Sequence, residues 1–282
     1  MTDDLFESAR VCLQTPEPDE KLRRTQALAV AWSAGRLRAR AGRPPDPIDR
    51  AGQPQRPLLV HPRELPRRSL GHARGRAALI HAVAHIEFNA INLAWDAVYR
   101  FRDMPARFYD DWIRVAREEA RHFGLMRQRL QAQDCDYGDF PGHNGLWDLA
   151  RRTADDPLVR MALVPRVMEA RGLDVTPGMI ERFRAAGDHE TADCLGIILR
   201  EEIGHVRAGS RWFRYLCRER GLDPEATYFE LLEQHLGGEI RCPLNREARR
   251  RAGFAESELK RLEALCTRPT LRPDATTWKQ RQ

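Results

Sequence analysis

Hydrophobic positions recur at helical spacing over most of the chain after Gly71. Apolar residues three, four and seven positions apart form continuous stripes, and no alternating strand pattern bounded by turn residues competes with them. The predicted helices cover residues 72–102, 105–133, 156–172, 177–187, 188–220, 224–236 and 256–265. A further helical segment is predicted around residues 20–34, after a polar lead-in. The sequence therefore predicts an all-α bundle with helical extensions.

Local signals mark several ends of these helices. Asp156-Pro157 and Thr176-Pro177 each place a capping residue before a proline at the first helical position, which predicts a helix start. Glycines predict three helix stops, at Gly172, Gly187 and Gly221. Pro165 removes a backbone hydrogen bond inside a predicted helix, so we expect a kink or local unwinding there.

A proline-rich stretch from Arg43 to Pro66 interrupts the helical pattern. Its seven prolines predict an extended arm that is not a core element. Arginines accompany the arm, and they favour a solvated or surface-wrapping segment, with an anion-binding strip as the alternative: Arg63, Arg67, Arg68, Arg74 and Arg76. The predicted division is an N-terminal helix and Pro/Arg-rich arm over residues 1–70, a four-helix bundle over 71–222 and a C-terminal helical extension over 223–282.

Composition narrows the class of protein. The chain has 282 residues, of which 42% are hydrophobic and 31% charged, and the mean hydropathy is -0.60, so disordered and integral-membrane classes fit poorly. The acidic N-terminus and the lack of an uninterrupted apolar run of about 20 residues predict a cytoplasmic protein without membrane association. The net charge of +6 comes almost wholly from arginine and does not by itself indicate nucleic-acid binding.

The cysteines lie far apart, and none forms a Cys-x-x-Cys pair. We therefore expect reduced, individually placed thiols rather than a disulfide framework or a zinc knuckle. The six positions are Cys12, Cys135, Cys194, Cys217, Cys242 and Cys266.

Two segments of the sequence resemble each other and carry the candidate chemistry. Both read Arg-Glu-Glu-x-x-His, and they end at His122 and His205. Residues three apart share one face of a helix, so Glu119 with His122, and Glu202 with His205, can each direct a carboxylate and an imidazole at one point. One such pair arises easily by chance in a charged helix, whereas two on separate long helices indicate a common site.

Each segment is preceded by a further glutamate at a similar distance. Glu87 lies 32 residues before Glu119, and Glu169 lies 33 residues before Glu202, so the chain has the pattern of a duplicated hairpin. All four glutamates lie on apolar stripes, where a carboxylate is costly to bury unless it is paired or binds a metal. The predicted metal ligands are Glu87, Glu119, His122, Glu169, Glu202 and His205.

The types of ligand indicate which metal they would hold. Four carboxylates and two imidazoles suit two iron ions, with manganese as the second choice, and the lack of cysteine ligands argues against a structural zinc site. A zinc protease is excluded because no His-Glu-x-x-His occurs. The alternative is that arginines neutralise the carboxylates, and the candidates are Arg121, Arg166 and Arg200.

Other polar residues near these positions receive different roles. Glu118 and Glu201 lie about 100° around the helix from the ligand stripe, so we expect them at the surface or in a supporting layer. His81 and His85 form an i, i+4 pair that points away from Glu87. A hydrogen-bonding or packing role is preferred for this pair over a second metal site.

The six ligand positions resemble the set found in the ferritin-like di-iron carboxylate superfamily. More narrowly, the stretch from Ala162 to Asp174, the two Glu-Glu-x-x-His segments and Cys242-Pro243-Leu244-Asn245 resemble a bacterial family of ferritin-like proteins of unknown function, over about residues 70–250. A more distant resemblance is to the MiaE-type tRNA hydroxylase. It implies a ferritin-like four-helix bundle and a non-haem di-iron monooxygenase, with the six residues as metal ligands.

What these resemblances imply is an O2-dependent oxidoreductase that hydroxylates an organic substrate, either a small molecule or a nucleic acid. No Gly-x-Gly-x-x-Gly occurs for a nucleotide cofactor, so a separate electron donor is expected. The alternative is a ferroxidase, a peroxide-consuming protein or another metal-handling protein without an organic substrate. A third interpretation is a metal-free helical interaction module. About 70 residues before the bundle and about 60 after it favour the enzyme over a storage cage.

Overall fold

The structure is a computed structural model that describes residues 3–40, 42, 44–66, 68–238 and 240–266. These residues form an all-α helical bundle, and the β-type pairing among them is limited to two isolated bridges. The α-helices are α1 (Leu5–Gln14), α2 (Pro18–Ser33), α3 (Ala73–Arg100), α4 (Ala106–Gln131), α5 (Gly145–Arg152), α6 (Pro157–Leu163), α7 (Ala170–Ala185), α8 (His189–Glu219), α9 (Pro224–Leu236), α10 (Arg246–Arg251) and α11 (Glu256–Cys266). A π-helix, Val164–Glu169, joins α6 to α7.

Two helical hairpins make up the centre of the bundle. α3 packs along α4, and the rod formed by α6, the π-helix and α7 packs along α8. α4 and α8 contact each other and so join the hairpins, while α1 covers α3 and α2 covers α4. The predicted division of the chain into three parts stays a prediction.

Capping residues explain where several helices begin and end. The Asp156 side chain accepts a hydrogen bond from the Leu158 backbone N–H at 2.7 Å, so the start predicted at Asp156-Pro157 is confirmed. Gly187 and Gly221 follow α7 and α8 with φ angles of 77° and 65°, a left-handed conformation that glycine adopts without strain. The two stops predicted there are confirmed.

The boundary predicted between residues 172 and 177 is wrong. α7 continues from Ala170 to Ala185, through Gly172 and through Thr176-Pro177. Pro177 has no N–H to donate to the Leu173 carbonyl one turn earlier, but the Asn245 side chain donates to that carbonyl at 3.1 Å. A tertiary contact therefore supplies the hydrogen bond that the proline removes.

The irregularity predicted at Pro165 takes the form of the π-helix. Its wider turn brings Pro165 against α8 at Gly209, where an added Cβ would lie 2.2 Å from the Pro165 Cγ. Only glycine allows this approach. The π-helix ends at Glu169, one of the predicted ligands.

The proline-rich arm wraps the bundle, as the preferred interpretation expected. Trp147 donates its indole N–H to the Asp49 carbonyl at 2.9 Å, and the Tyr99 hydroxyl donates to the Asp46 carbonyl at 3.2 Å. The expectation that the arm contributes nothing to the core is wrong, because Ile48 and Ala51 are buried in it. Arg67 of the predicted arginine strip lies outside the described residues.

The C-terminal helices pack against the second hairpin. α9 contacts α6 and α8, and α10 contacts α7 and α8. Cys242 and Cys266 form a disulfide with their Cα atoms 5.8 Å apart, so the expectation of six reduced thiols is wrong. The fold brings these residues together across 24 positions of sequence, a proximity that spacing alone does not indicate. Residues 267–282 of the predicted extension lie outside the described residues.

α3 is the one described helix that is long and apolar enough to cross a membrane by length and composition. Within the fold, 83% of its most apolar window is buried, as in the core helix of a soluble protein. Its hydrophobicity is therefore used in packing against its neighbours.

Candidate metal centre

The predicted ligands lie on the four central rods of the bundle, which are α3, α4, the segment from α6 through the π-helix to α7, and α8. Glu87 is in the middle of α3, Glu119 and His122 are on α4, Glu169 ends the π-helix, and Glu202 and His205 are on α8. The apolar neighbours predicted for these stripes are buried except Leu199 on α8, which is half-buried. The buried ones are Ile80, Val83, Ala84, Ala90, Ile91 and Ala94 on α3; Trp112, Val115, Ala116, Phe123 and Met126 on α4; and Leu195 and Ile198 on α8. Each acidic side chain therefore enters the interior from an apolar helix face.

One imidazole is at the centre of the first group of side chains. The His122 Nδ1 atom lies 3.3 Å from the Glu87 Oε2 atom and 3.3 Å from the Glu119 Oε2 atom, and the Glu202 Oε1 atom is 3.8 Å away. One ligand atom from each of these four residues falls within 4.8 Å of all the others. This spacing suits a metal ion bound between them.

The second imidazole lies beside the same glutamates. The His205 Nδ1 atom is 2.9 Å from the Glu119 Oε1 atom and 3.2 Å from the Glu202 Oε1 atom. Glu169 is half-buried as a residue, but its Oε2 atom is buried and feels the charges of Glu202 and Glu119. The structure thus brings all six side chains to one interior region, and their role as metal ligands stays a prediction.

Burial and mutual repulsion raise the pKa values of three of the four inner glutamates. Burial and then the charge of Glu119 raise the pKa of Glu87 well above its usual range, and burial followed by Glu202 and Glu119 does the same for Glu169. Burial and Glu119 also raise the pKa of Glu202. Glu119 is the exception, because the His205 charge and hydrogen bonds from the imidazoles outweigh burial and lower its pKa.

The pKa values of the two imidazoles are raised, whereas burial alone would lower them. Burial lowers the pKa of His122, but the adjacent carboxylates of Glu119 and Glu87 raise it to about 11. The pKa of His205 is also raised well above its usual value, because Glu202 and Glu119 outweigh burial. In the metal-free protein both imidazoles are therefore protonated on both ring nitrogens, and positively charged, at neutral pH.

Three carboxylate oxygens in the cluster are buried without a hydrogen-bond partner. They are Glu87 Oε2, Glu119 Oε1 and Glu169 Oε2, and the first two lie near an imidazole nitrogen without the geometry of a hydrogen bond. An unpaired polar atom in a protein interior is costly, and a metal cation would compensate it. A set of four carboxylates and two imidazoles fits iron or manganese.

The outer nitrogens of the histidines are held by a crossed pair of glutamates. The Nε2 atom of His122 on α4 lies 2.7 Å from Glu201 on α8, and the Nε2 atom of His205 on α8 lies 2.8 Å from Glu118 on α4. A histidine that donates its Nε2–H to a carboxylate keeps Nδ1 oriented for a metal. Glu118 and Glu201 thus belong to the supporting layer. Their cross-helix pairing was not predicted, although the doubled Glu-Glu in both segments is its signal.

Arginines do not neutralise the site carboxylates, contrary to the alternative considered from the sequence. Arg166 pairs with Glu258, Arg121 pairs with Glu201, and Arg200 is exposed. Across the ranges that the structure covers, the four inner glutamates have no arginine partner.

The His81 and His85 pair makes hydrogen bonds, which confirms the preferred interpretation. His85 contacts the Tyr137 hydroxyl at 2.9 Å and the His143 carbonyl at 3.0 Å, and His81 Nε2 accepts the Gly138 N–H at 2.9 Å. Burial lowers the pKa of both histidines to about 4. Both rings are therefore neutral at pH 7 and serve packing and hydrogen bonding.

A surface cavity of about 530 Å³ opens beside the supporting glutamates. It is lined by Leu22 and Gln26 of α2, by Arg117, Glu118, Ala120 and Arg121 of α4, and by Glu201 of α8. The cavity therefore approaches the centre from the outer side of the two imidazoles, with a single hydrogen bond between its wall and each ring.

Comparison with known proteins identifies the family. A family model described as "Protein of unknown function (DUF455)" matches residues 14–260, so the chain belongs to this family. An uncharacterized protein from Haemophilus influenzae (strain ATCC 51907 / DSM 11121 / KW20 / Rd) is 47% identical over 216 residues, which cover 74% of this chain and 75% of that protein. No solved structure matches the chain.

Proposed function

We propose that this member of the DUF455 family is a ferritin-like di-iron protein that acts as an O2-dependent oxidoreductase, a hydroxylase of an organic substrate. One observation carries the proposal: five buried side chains and the half-buried Glu169, from four rods, converge, and three of their carboxylate oxygens are buried without a hydrogen-bond partner. A folded protein retains such an arrangement only where something compensates its cost. A pair of iron ions does so, with a pair of manganese ions as the second choice.

Two iron ions bound there would supply the electrons that reduce O2 next to a substrate. Glu87 with His122, and Glu169 with His205, would hold one ion each, while Glu119 and Glu202 lie between the two histidines. The buried helix faces around the cluster exclude water. Glu201 and Glu118 accept the Nε2 protons of the histidines and fix the orientation of both rings.

The surface cavity supports the proposal of a separate electron donor. It approaches the outer side of the histidines, where Glu201 joins His122 to the exposed Arg121. A donor at this surface would be separated from the imidazole by one carboxylate.

We place the protein in the cytoplasm. The burial of α3 fits a location away from a membrane, because the helix is used in packing. The Cys242–Cys266 disulfide argues against it, since cytosolic thiols are normally kept reduced. Alkylation of thiols in intact cells followed by mass spectrometry tests the proposal: a reduced pair at these positions supports the cytoplasm, and a fully oxidised pair contradicts it.

Metal analysis after anaerobic loading is the first test of the proposed function. The metal-free protein is incubated with Fe²⁺, freed of unbound metal and analysed, and we expect two irons per chain. Glu119→Ala and His205→Ala should abolish loading of the full pair of irons. His189→Ala is the matched control, because this histidine is on the same helix as His205 but is exposed. Two irons retained in both ligand variants would refute the assignment.

Single turnover with labelled oxygen tests the reaction. The Fe²⁺-loaded protein receives one pulse of ¹⁸O₂ together with small-molecule or RNA fractions from cells. One oxygen atom should enter a product and the other should form water, with two electrons coming from the two irons and two protons from solvent. Mass spectrometry then identifies the labelled product and distinguishes a small molecule from a nucleic acid.

Other outcomes would favour the alternatives. Consumption of O2 with oxidation of iron but without labelled product would indicate a ferroxidase or another metal-handling protein. A protein that retains no metal and gains no thermal stability from Fe²⁺ or Mn²⁺ would instead be a metal-free helical module.

A further inference from the structure

The helix that carries Glu169 differs from the other ligand helices. Val164–Glu169 is a π-helix, a rare form that usually needs support from its surroundings, and Pro165 has no N–H to contribute to its hydrogen bonding. Glu169 is the last residue of this segment, so its position depends on how the segment is held. Glu87, Glu119 and Glu202 all project from regular α-helices.

The side chain of Arg166 anchors this segment to the C-terminal helices. Its guanidinium is buried, lies 2.5 Å from the Glu258 carboxylate on α11 and stacks over three aromatic rings. The distances to the ring centroids are 4.8 Å for Phe213, 4.1 Å for Tyr228 and 4.6 Å for Phe254. A buried cation surrounded in this way has little freedom to move.

The backbone of Arg166 is held by the same helices. The Tyr228 hydroxyl on α9 donates to the Arg166 carbonyl at 3.1 Å. The second oxygen of Glu258 accepts the Ala255 N–H at 2.7 Å, which fixes the carboxylate itself. Both the main chain and the side chain of Arg166, three residues before Glu169, are thus bound to the region from α9 to α11, which we call the C-terminal clamp.

The clamp also binds the helix that follows Glu169. Asp174 accepts hydrogen bonds from the Asn245 N–H and from the Arg249 guanidinium, and the Asn245 side chain donates to the Leu173 carbonyl. The contacts join the two stretches of sequence, from Ala162 to Asp174 and around Asn245, that carry the resemblance to the family. Nothing in the proposed reaction alone explains why these stretches should contact each other.

We propose that Arg166 is a positioning residue, and that the C-terminal clamp acts through it to keep Glu169 in the metal cluster. The proposal rests on the proposed function, since it assumes a metal for Glu169 to bind. It assigns a role to a region outside the four rods. Release of Arg166 should weaken the metal position served by Glu169 and His205 and leave the position served by Glu87 and His122 intact.

Binding of Mn²⁺ to the metal-free full-length protein tests the proposal. Calorimetry counts the ions, and electron paramagnetic resonance distinguishes a coupled pair of ions from a single one. The double variant Arg166→Met/Glu258→Gln removes both charges of the buried pair at similar volume, so no charge is left unpaired. We expect the ion at the Glu169/His205 position, called the second ion, to bind at least about tenfold more weakly, and the resonance signal of a coupled Mn²⁺ pair to disappear.

Two further variants separate positioning from general stability. Tyr228→Phe removes only the hydrogen bond to the Arg166 carbonyl and should weaken the second ion to a smaller extent. Asp96→Asn/Arg160→Met is the control for loss of a buried ion pair: it removes the Asp96–Arg160 pair, also takes the charged partner from Arg100, and does not touch Arg166. The control should lower the melting temperature but still bind a coupled pair of Mn²⁺ ions.

Failure of the positioning role can be distinguished from failure of the proposed function. A coupled pair bound with normal affinity by the clamp variant, or an equal loss of the second ion in the control, would overturn the positioning role and leave the proposed function intact. A wild-type protein that binds no pair of ions would overturn both.

Discussion

The two hairpins of the bundle present the same ligands on different scaffolds. In the first, Glu87 projects from the middle of a regular, mostly buried helix, and its partners Glu119 and His122 are on the adjacent helix. In the second, the corresponding glutamate, Glu169, ends a π-helix that contains a proline. The duplicated sequence pattern therefore does not produce a symmetric site.

The difference shows two ways of holding a carboxylate in a protein interior. The first hairpin holds Glu87 through regular backbone hydrogen bonds and apolar packing on both sides. The second needs contacts from outside the hairpin, with Gly209 admitting Pro165 and the C-terminal helices binding Arg166. We expect the first metal position to be the more robust of the two.

Neutral replacement of the two matched glutamates gives the largest expected effect. Glu87→Gln and Glu169→Gln should each lower metal affinity by more than the roughly 10–100-fold that loss of a supporting partner costs. Each should also raise the melting temperature of the metal-free protein, because burial and neighbouring charges disfavour these carboxylates. Calorimetric metal titration and thermal unfolding check both effects. A metal-free protein destabilised by both replacements would contradict the electrostatic explanation.

Acidity should change metal affinity strongly. The raised pKa values of His122, about 11, and of His205 mean that both rings carry an extra proton in the metal-free cluster at pH 7. A metal can bind Nδ1 only after that proton leaves, so affinity should rise with pH, by up to about tenfold per pH unit for each proton released. Mn²⁺ titrations between pH 6 and pH 8, in buffers of different ionisation enthalpy, measure the protons released. An affinity that does not depend on pH would contradict this assignment.

Replacement of the supporting glutamates should lower metal affinity by an intermediate amount, and each replacement should act on a different one of the two metal positions. Glu201→Gln should affect the ion bound by His122, and Glu118→Gln the ion bound by His205, each lowering affinity by about 10–100-fold. The exposed Glu190→Gln on α8 serves as a control. Electron paramagnetic resonance of Mn²⁺ at low occupancy shows which of the two ions is bound more weakly. Equal weakening of both ions by either variant would contradict the assignment of one supporting glutamate to each ion.

A pair of glycine replacements gives the smallest expected effects, of opposite sign. Gly209→Ala places a Cβ against Pro165 and should destabilise the fold by about 1–3 kcal/mol. Gly172→Ala adds a methyl group within α7, where no atom is within 4 Å, and should stabilise it by about 0.5–1 kcal/mol. Denaturant unfolding of the metal-free protein measures both. Destabilisation by Gly172→Ala would contradict the open space at that position.

The sequence predicted the long helices, and the helix faces that carry the six side chains, because both depend on local periodicity; the convergence of those faces came from the resemblance to the ferritin-like ligand set. Apolar stripes define a helix face, and a Glu-x-x-His spacing directs two side chains from that face. Burial of the stripe neighbours follows for the same reason. The helices α1, α5 and α10 escaped prediction, since ten, eight and six residues carry few periods. The interpretation of the stretch before residue 20 as a polar lead-in is wrong, because α1 buries Leu5, Phe6 and Leu13 there.

Features that depend on distant contacts could not be predicted in this way. Arg166 was considered as a partner for the site carboxylates because three residues on an α-helix return to nearly the same face. In the π-helix each turn takes more residues, and Arg166 instead reaches Glu258, 92 positions away. The continuity of α7 through Pro177 depends in the same manner on Asn245, and the disulfide on the packing of α11.

The crossed hydrogen bonds between the histidines and the supporting glutamates link the two metal positions. His122 depends on a glutamate of α8, and His205 on a glutamate of α4, so any rotation of one helix disturbs the surroundings of both rings. The first ion to bind fixes one ring, its glutamate and the relative setting of the two helices. Part of the ordering needed by the second ion is then complete, and we expect positive cooperativity in metal loading.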